Sequence, residues 1–182
     1  LKTLRRLGSP LEGHPNMRRL PGVEASTGSL GQGLSIGLGH ALAARLDGRD
    51  YQVYVMLGDG EIQEGQVWEA AMAAAHQKVN NLIAIVDNNG YQQTSAVSQV
   101  TDPALYDDKW AAFGWKVLEI DGHDLGQVRD ALIAARDEKS GPVVIIAHTV
   151  KGKGLKVFEE DFTWHGRALP KDKLAEALEE LG

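Results

Sequence analysis

Residues 57–91 read Leu57-GDGEIQEGQVWEAAMAAAHQKVNNLIAIVDNNG-Tyr91. The apolar run Val53-Tyr54-Val55-Met56-Leu57 ends in Gly58-Asp59-Gly60, and the run Leu82-Ile83-Ala84-Ile85-Val86 ends in Asp87-Asn88-Asn89-Gly90. Short apolar runs bounded by Gly and Asn read as buried strands, and the Ala-rich segment between them as a helix starting near Glu64. This is a β-α-β unit, whose crossover makes the two strands parallel and neighbouring. Both polar endings then lie at the carboxyl edge of one sheet, where open α/β sheets bind ligands.

The atoms at that edge limit the ligand. Asp59 offers a carboxylate, Asn89 an amide oxygen, and the turn after it the carbonyl of Tyr91. Hard oxygen donors without thiolate suit magnesium or calcium. Magnesium is usually held by few protein groups, with substrate phosphates and water completing its octahedron. Gly58 and Gly60 lack side chains, so a phosphate can approach the backbone there. The positive end of the following helix points to the same edge.

Gly58-Asp59-Gly60, 27 intervening residues and Asn88-Asn89 resemble the thiamine-diphosphate motif. A lone GDG is a common strand-to-turn sequence; its spacing to the second half carries the signal. The stretches Glu24-Ala25-Ser26-Thr27-Gly28-Ser29-Leu30-Gly31-Gln32-Gly33 and Gly58-Asp59-Gly60-Glu61-Ile62-Gln63-Glu64-Gly65 resemble transketolase, and the likeness covers nearly the whole chain. It is to the cofactor-diphosphate domain, the first domain of that enzyme. Two departures are Ser29, where the family often has proline, and the polar Tyr91-Gln92-Gln93-Thr94, where larger members often carry an Ile-rich stretch.

The resemblance implies thiamine diphosphate and magnesium or calcium as cofactors, held by Asp59, Asn89 and Tyr91 and by Gly58, Gly60 and Lys151. It puts Gly28 and Leu30 against the middle and aminopyrimidine of the cofactor. His14, in Gly13-His14-Pro15, would touch the sugar, and His165 the diphosphate and the sugar. Read without the family, His14 is an exposed loop histidine. Glu64 and Glu69 are then a helix-start residue and a solvated one; in transketolase the matching pair is buried between subunits and links two active sites.

The implied reaction is two-carbon ketol transfer from a ketose phosphate to an aldose phosphate, as in the pentose phosphate pathway. The family's second domain, which grips the aminopyrimidine and brings an activating glutamate, has no counterpart here. The expectation is therefore an amino-terminal subunit of a split transketolase, or a fragment of a full one. It would lack the upstream part of the family's first domain and would need a carboxy-terminal partner subunit in a dimer or dimer of heterodimers. Alternatives are another thiamine-diphosphate enzyme, such as deoxyxylulose-phosphate synthase or a ketoacid dehydrogenase component, and a non-catalytic cofactor-binding or assembly subunit.

At 182 residues one domain is expected over 1–182, and the alternating strand and helix signals, with the resemblance, imply an α/β fold, three-layered with a mostly parallel sheet. The 43% hydrophobic content is that of a globular chain. A net charge of −6 and the lack of a basic stripe argue against nucleic acid. There are no cysteines, which excludes thiolate metal sites and fits a reducing, cytoplasmic setting. No apolar run approaches the ~18 residues of a membrane span.

Further elements are expected in order. Residues 1–7 read as a helix end, and Gly28–Gly33 as a turn opening a helix to about Leu46. Tyr51–Leu57 reads as the first core strand, Pro103–Phe113 as a helix with Trp110 inward, and Trp115–Ile120 as the third strand. Gly126–Lys139 reads as a helix, Pro142–His148 as the fourth strand, and Pro170–Leu181 as a terminal helix with Leu174, Ala177, Leu178 and Leu181 on one stripe. Lys151 follows the fourth strand in a basic, glycine-containing turn suited to an anion, and His123 is a loop or capping residue. Residues 158–164 form an acidic and aromatic loop before His165.

Overall fold

The structure is a computed structural model that describes residues 1–101 and 106–182. Four strands form one fully parallel sheet: β1 (Val53–Gly58), β2 (Leu82–Asn88), β3 (Lys116–Asp121) and β4 (Val143–His148), in the spatial order β1-β2-β4-β3. The β1/β2 register pairs Gly58 with Asp87, so the two polar endings stand side by side. The β-α-β reading of residues 53–88 therefore holds.

Side-chain alternation assigns the two faces. Val55 and Leu57 of β1, Leu82, Ala84 and Val86 of β2, and Val144 and Ile146 of β4 face helices α1 (Gln32–Leu46), α2 (Gly65–His76) and α3 (Tyr106–Ala112). Ile83, Val143 and Ile145 face α4 (Leu125–Asp137), which buries Ala131 and Ala135 against them. The result is three layers, α-β-α.

Close approach on the first face needs small residues. A Cβ on Gly37 would overlap Val55 Cγ2, and Ala41 one turn later is fully buried. On α2, Ala70, Ala71 and Ala74 are buried. Trp110 is fully buried, with its ring 5.1 Å from Trp68 and 4.9 Å from Trp115. The Trp115 indole donates to the Ala71 carbonyl at 2.9 Å, which satisfies its polar atom inside the core.

Several expectations change. Residues 1–7 form turns, not a helix; Gly8 and Pro10 leave too short a run to offset the cost of nucleation. The first core strand, β1, starts at Val53 and not Tyr51, and it lies at the sheet edge: Val55 and Leu57 are in the core, while Tyr54 and Met56 on its second face are 48% and 70% exposed, with α4 packed on β3 and β4 at the other side of the sheet. The last helix, α5, spans Leu174–Leu181, after a short 3-10 turn at Lys171–Lys173. Of its stripe only Ala177 is buried; Leu174, Leu178 and Leu181 are exposed. The expected start of α3 at Pro103 lies outside the described residues.

Candidate cofactor-binding site

The ends of β1 and β2 are locked together by one side chain. Asp59 is 1% exposed. Its Oδ1 accepts from the backbone N–H of Gly60 at 2.7 Å, and its Oδ2 from that of Gly90 at 2.5 Å. The Asp59 N–H in turn donates to the Asp87 carbonyl at 3.2 Å. Burial pushes the Asp59 carboxyl above its ordinary range; the two N–H donors pull it partly back, Asp87 pushes it further up, and Lys151 opposes. A carboxylate held in this state favours a bound cation over an unpaired charge.

The second turn presents the other donors. Asn89 Oδ1 accepts from the Tyr91 N–H at 3.0 Å, while its Nδ2 donates to Asp87 Oδ2 at 3.0 Å. Tyr91 then pairs with Ala96 in an antiparallel bridge, and Val97 N–H closes the loop on the Gly90 carbonyl at 2.8 Å. Across the gap, Gln63 Nε2 donates to Gln92 Oε1 at 2.7 Å, and Gln92 stands where a Cβ on Gly60 would fall, 2.8 Å away. Gly60 is thus closed over by protein, whereas the nearest atom to a Cβ on Gly58 is Glu61 Cβ at 3.9 Å.

These oxygens fit a hard divalent cation. Among the described residues, no group of three or more His, Cys, Asp or Glu side chains could hold a metal. One carboxylate, one amide and one carbonyl leave half an octahedron for a diphosphate and water, as magnesium prefers.

A second bridge reaches the glycine-rich turn before α1. Glu61 Oε1 accepts from Gly31 N–H at 2.9 Å and its Oε2 from Gly58 N–H at 3.1 Å. Gly31 has φ 79°, the left-handed region that glycine adopts at little cost, and a Cβ there would lie 2.7 Å from Glu64 Cβ. A Cβ on Gly28 would lie 2.6 Å from the His14 ring, so His14 is seated on this turn.

The third segment follows β4. Thr149 Oγ1 donates to Asp87 Oδ1, and the Thr149 N–H to the Asn88 carbonyl at 3.2 Å. The Val150 N–H donates to His123 Nε2 at 2.8 Å, which makes His123 the loop-capping residue expected. Lys151 follows, close enough to Asp59 to act on its charge.

The structure thus gathers Gly58, Asp59, Gly60, Asn89, Tyr91 and Lys151 at one edge, and sets Gly28 and His14 together and Gly31 against Glu64. Leu30 is 61% exposed. Glu64, Glu69, His14 and His165 are exposed in the single chain, and their side chains make no hydrogen bond with another described residue. Three residues that organise the site escaped the sequence reading: Glu61, Asp87 and Gln92. The available signal was position, since each lies within three residues of Asp59, Asn89 or Tyr91.

The model of the transketolase thiamine diphosphate binding domain matches residues 1–182. The chain belongs to this family. Among its relatives, an apulose-4-phosphate transketolase subunit of Phocaeicola vulgatus is 40% identical over 179 residues, covering 98% of this chain and 63% of the relative. The 6-deoxy-6-sulfo-D-fructose transketolase subunit SqwG of a Clostridium species is 39% identical, covering 100% and 66%. The crystal structure of a Campylobacter jejuni transketolase superposes with a TM-score of 0.93 at 34% identity, over 100% of this chain and 29% of that one. The chain therefore spans about two thirds of the length of the apulose-4-phosphate and sulfofructose relatives. As a transketolase thiamine diphosphate binding domain, it has thiamine diphosphate as its cofactor, and the donor set described above fits the divalent cation typical of the family.

Proposed function

We propose that this chain is the cofactor-holding part of a split transketolase, which moves a two-carbon ketol unit from a ketose phosphate to an aldose phosphate. The observation that carries the reading is Asp59, a buried carboxylate held by N–H groups from both strand-end turns. Asp59, Asn89 and the Tyr91 carbonyl bind magnesium, or calcium in its place, and through it the diphosphate. Lys151 adds positive charge to the same anion. When bound, thiamine diphosphate supplies the nucleophilic carbon that ketol transfer requires.

The chain's own residues then have the following roles. Gly28 and Leu30 line the cofactor, with His14 beside Gly28 directed to the sugar. His165 contacts the diphosphate and the sugar. Glu64 and Glu69 lie at a subunit interface, where paired carboxylates share a proton that assists activation. A complementary carboxy-terminal subunit grips the aminopyrimidine, in a dimer or a dimer of heterodimers. Three relatives are named as subunits of a transketolase, which supports such a partner. Two of them are named for apulose 4-phosphate and one for a sulfonated fructose, which supports ketose donors outside the pentose phosphate pathway as well.

Residues 1–182 are proposed to be one domain, built on the single sheet β1-β2-β4-β3. Among the described residues no helix is long and apolar enough to cross a membrane. The absence of cysteine supports a cytoplasmic setting.

The test is to purify the chain from its own cell with whatever stays attached, and then alone. Ketol transfer that needs both thiamine diphosphate and the partner supports the reading. Turnover by this chain alone, unchanged by any partner, refutes the split-enzyme reading.

A further inference from the structure

We propose that Asp87 is a positioning residue: it sets which way the Asn89 amide faces and ties that amide to the Lys151 loop. The inference rests on Asn89 being a cation ligand, as proposed above.

Asp87 lies near the end of β2, and both of its oxygens are engaged. Oδ2 accepts from Asn89 Nδ2 at 3.0 Å, and Oδ1 accepts from Thr149 Oγ1. A carboxylate only accepts, so only the NH2 group of Asn89 can face it. That forces the Asn89 oxygen to the opposite side, where it accepts from the Tyr91 N–H at 3.0 Å. An amide oxygen has two lone pairs, which leaves one for a cation. A flipped amide would turn its NH2 group toward both the Tyr91 N–H and the cation, and would present two donors to each other. Without Asp87 the two ends of the amide are nearly the same shape, and only the Tyr91 contact distinguishes them.

The other oxygen of Asp87 carries the linkage. Thr149 is the first residue after β4, and its N–H also bonds the Asn88 carbonyl. Lys151 stands two residues later. One carboxylate therefore sets the register of the metal turn against the turn that carries Lys151. Both oxygens of Asp87 thus serve side chains of the two turns.

The experiment has two readouts. In the metal-free chain, the side-chain NH2 signals of Asn89 are followed by 15N NMR. Asp87→Asn should make that NH2 pair exchange with solvent about tenfold faster, as expected on losing a hydrogen bond to a charge. Thr149→Val removes only the far anchor and should give a smaller change in the same direction. In the protein as purified from its own cell, Mn2+ binding with thiamine diphosphate is followed by electron paramagnetic resonance. Asp87→Asn should weaken it roughly 10- to 100-fold, the usual effect of losing an outer-shell partner.

The reciprocal Asp87→Asn/Asn89→Asp variant restores the pairing with donor and acceptor exchanged, and should recover most of the loss. Weaker Mn2+ binding in Asp87→Asn with an unchanged Asn89 signal would mean that Asp87 acts only through its charge, and would overturn the proposal. So would a reciprocal variant no better than the single one. Asn89→Ala separates the two layers. If it keeps full Mn2+ affinity, the ligand assignment fails. If it loses affinity while Asp87→Asn alters neither readout, only the positioning role fails.

Discussion

Glu61 is the residue whose removal should loosen the site most for the least change in shape. Its carboxylate accepts from Gly31 N–H at 2.9 Å and from Gly58 N–H at 3.1 Å, and so joins the turn before α1 to the end of β1. Glu61→Ala leaves both donors without that partner. Gly31 is buried, so its N–H bears the full desolvation penalty of about 1–3 kcal/mol. Gly58 is half-buried and water can replace part of the bond, so its share is about 0.5–1.5 kcal/mol. The sum, about 1.5–4.5 kcal/mol, is a large fraction of the roughly 5–15 kcal/mol that holds a domain folded. With a denaturant slope of about 2 kcal/mol per molar urea, the midpoint should fall by about 1–2 M. Glu61→Gln keeps one acceptor and turns an NH2 group toward the other N–H, so it should lose about half as much. Urea unfolding gives the magnitudes, and hydrogen exchange at the Gly31 amide locates the effect. An alanine variant with the parent's midpoint and a still-protected Gly31 amide would refute the bridge between the turns.

Other outcomes follow from the same geometry. Asp59→Ala should abolish cation-dependent binding of thiamine diphosphate, measured by calorimetry with and without Mg2+; unchanged affinity would remove Asp59 from the metal set. Because burial raises the folded-state affinity of Asp59 for its proton, the metal-free chain takes up protons on folding and loses stability as pH rises from the ordinary value of 3.8 through the raised one. A cation favours the ionised form, so the increase in melting temperature from Mg2+ and thiamine diphosphate should grow as pH rises from 3.8 through the raised value, and an increase that does not grow with pH would contradict the burial account. Gly37→Ala gains about 1 kcal/mol of helix propensity but drives a methyl group into Val55, at an overpacking cost of about 1–3 kcal/mol. Adding Val55→Ala should therefore cost less than the two single changes together, and strict additivity in thermal unfolding would argue against that contact. Glu69→Ala should weaken assembly far more than Glu179→Ala, and Glu64→Gln should slow turnover more than it weakens association; sedimentation and activity like the parent's in both would make these glutamates plain solvated residues.

Local pattern was enough for the pairing of β1 with β2 and for the residue types at their polar ends. The runs at 53–57 and 82–86, the Ala-rich helix between them and the two polar endings are readable because strand pairing through one crossover is a short-range consequence of sequence order. The same holds for the oxygen-only donors Asp59 and Asn89, which sit at strand ends. What sequence could not reveal depends on segments far apart in the chain. The order β1-β2-β4-β3 leaves Tyr54 and Met56 uncovered on edge strand β1, and no feature of residues 53–58 announces it. Glu61 reaches back to Gly31 before α1, Thr149 reaches Asp87 from the end of β4 to that of β2, and Gln92 closes over Gly60, all between segments that only the folded chain brings together. Residue type names the available donors. Their direction, burial and partners are set by long-range packing, because a hydrogen bond needs its acceptor within about 3 Å and only the folded chain brings them that close.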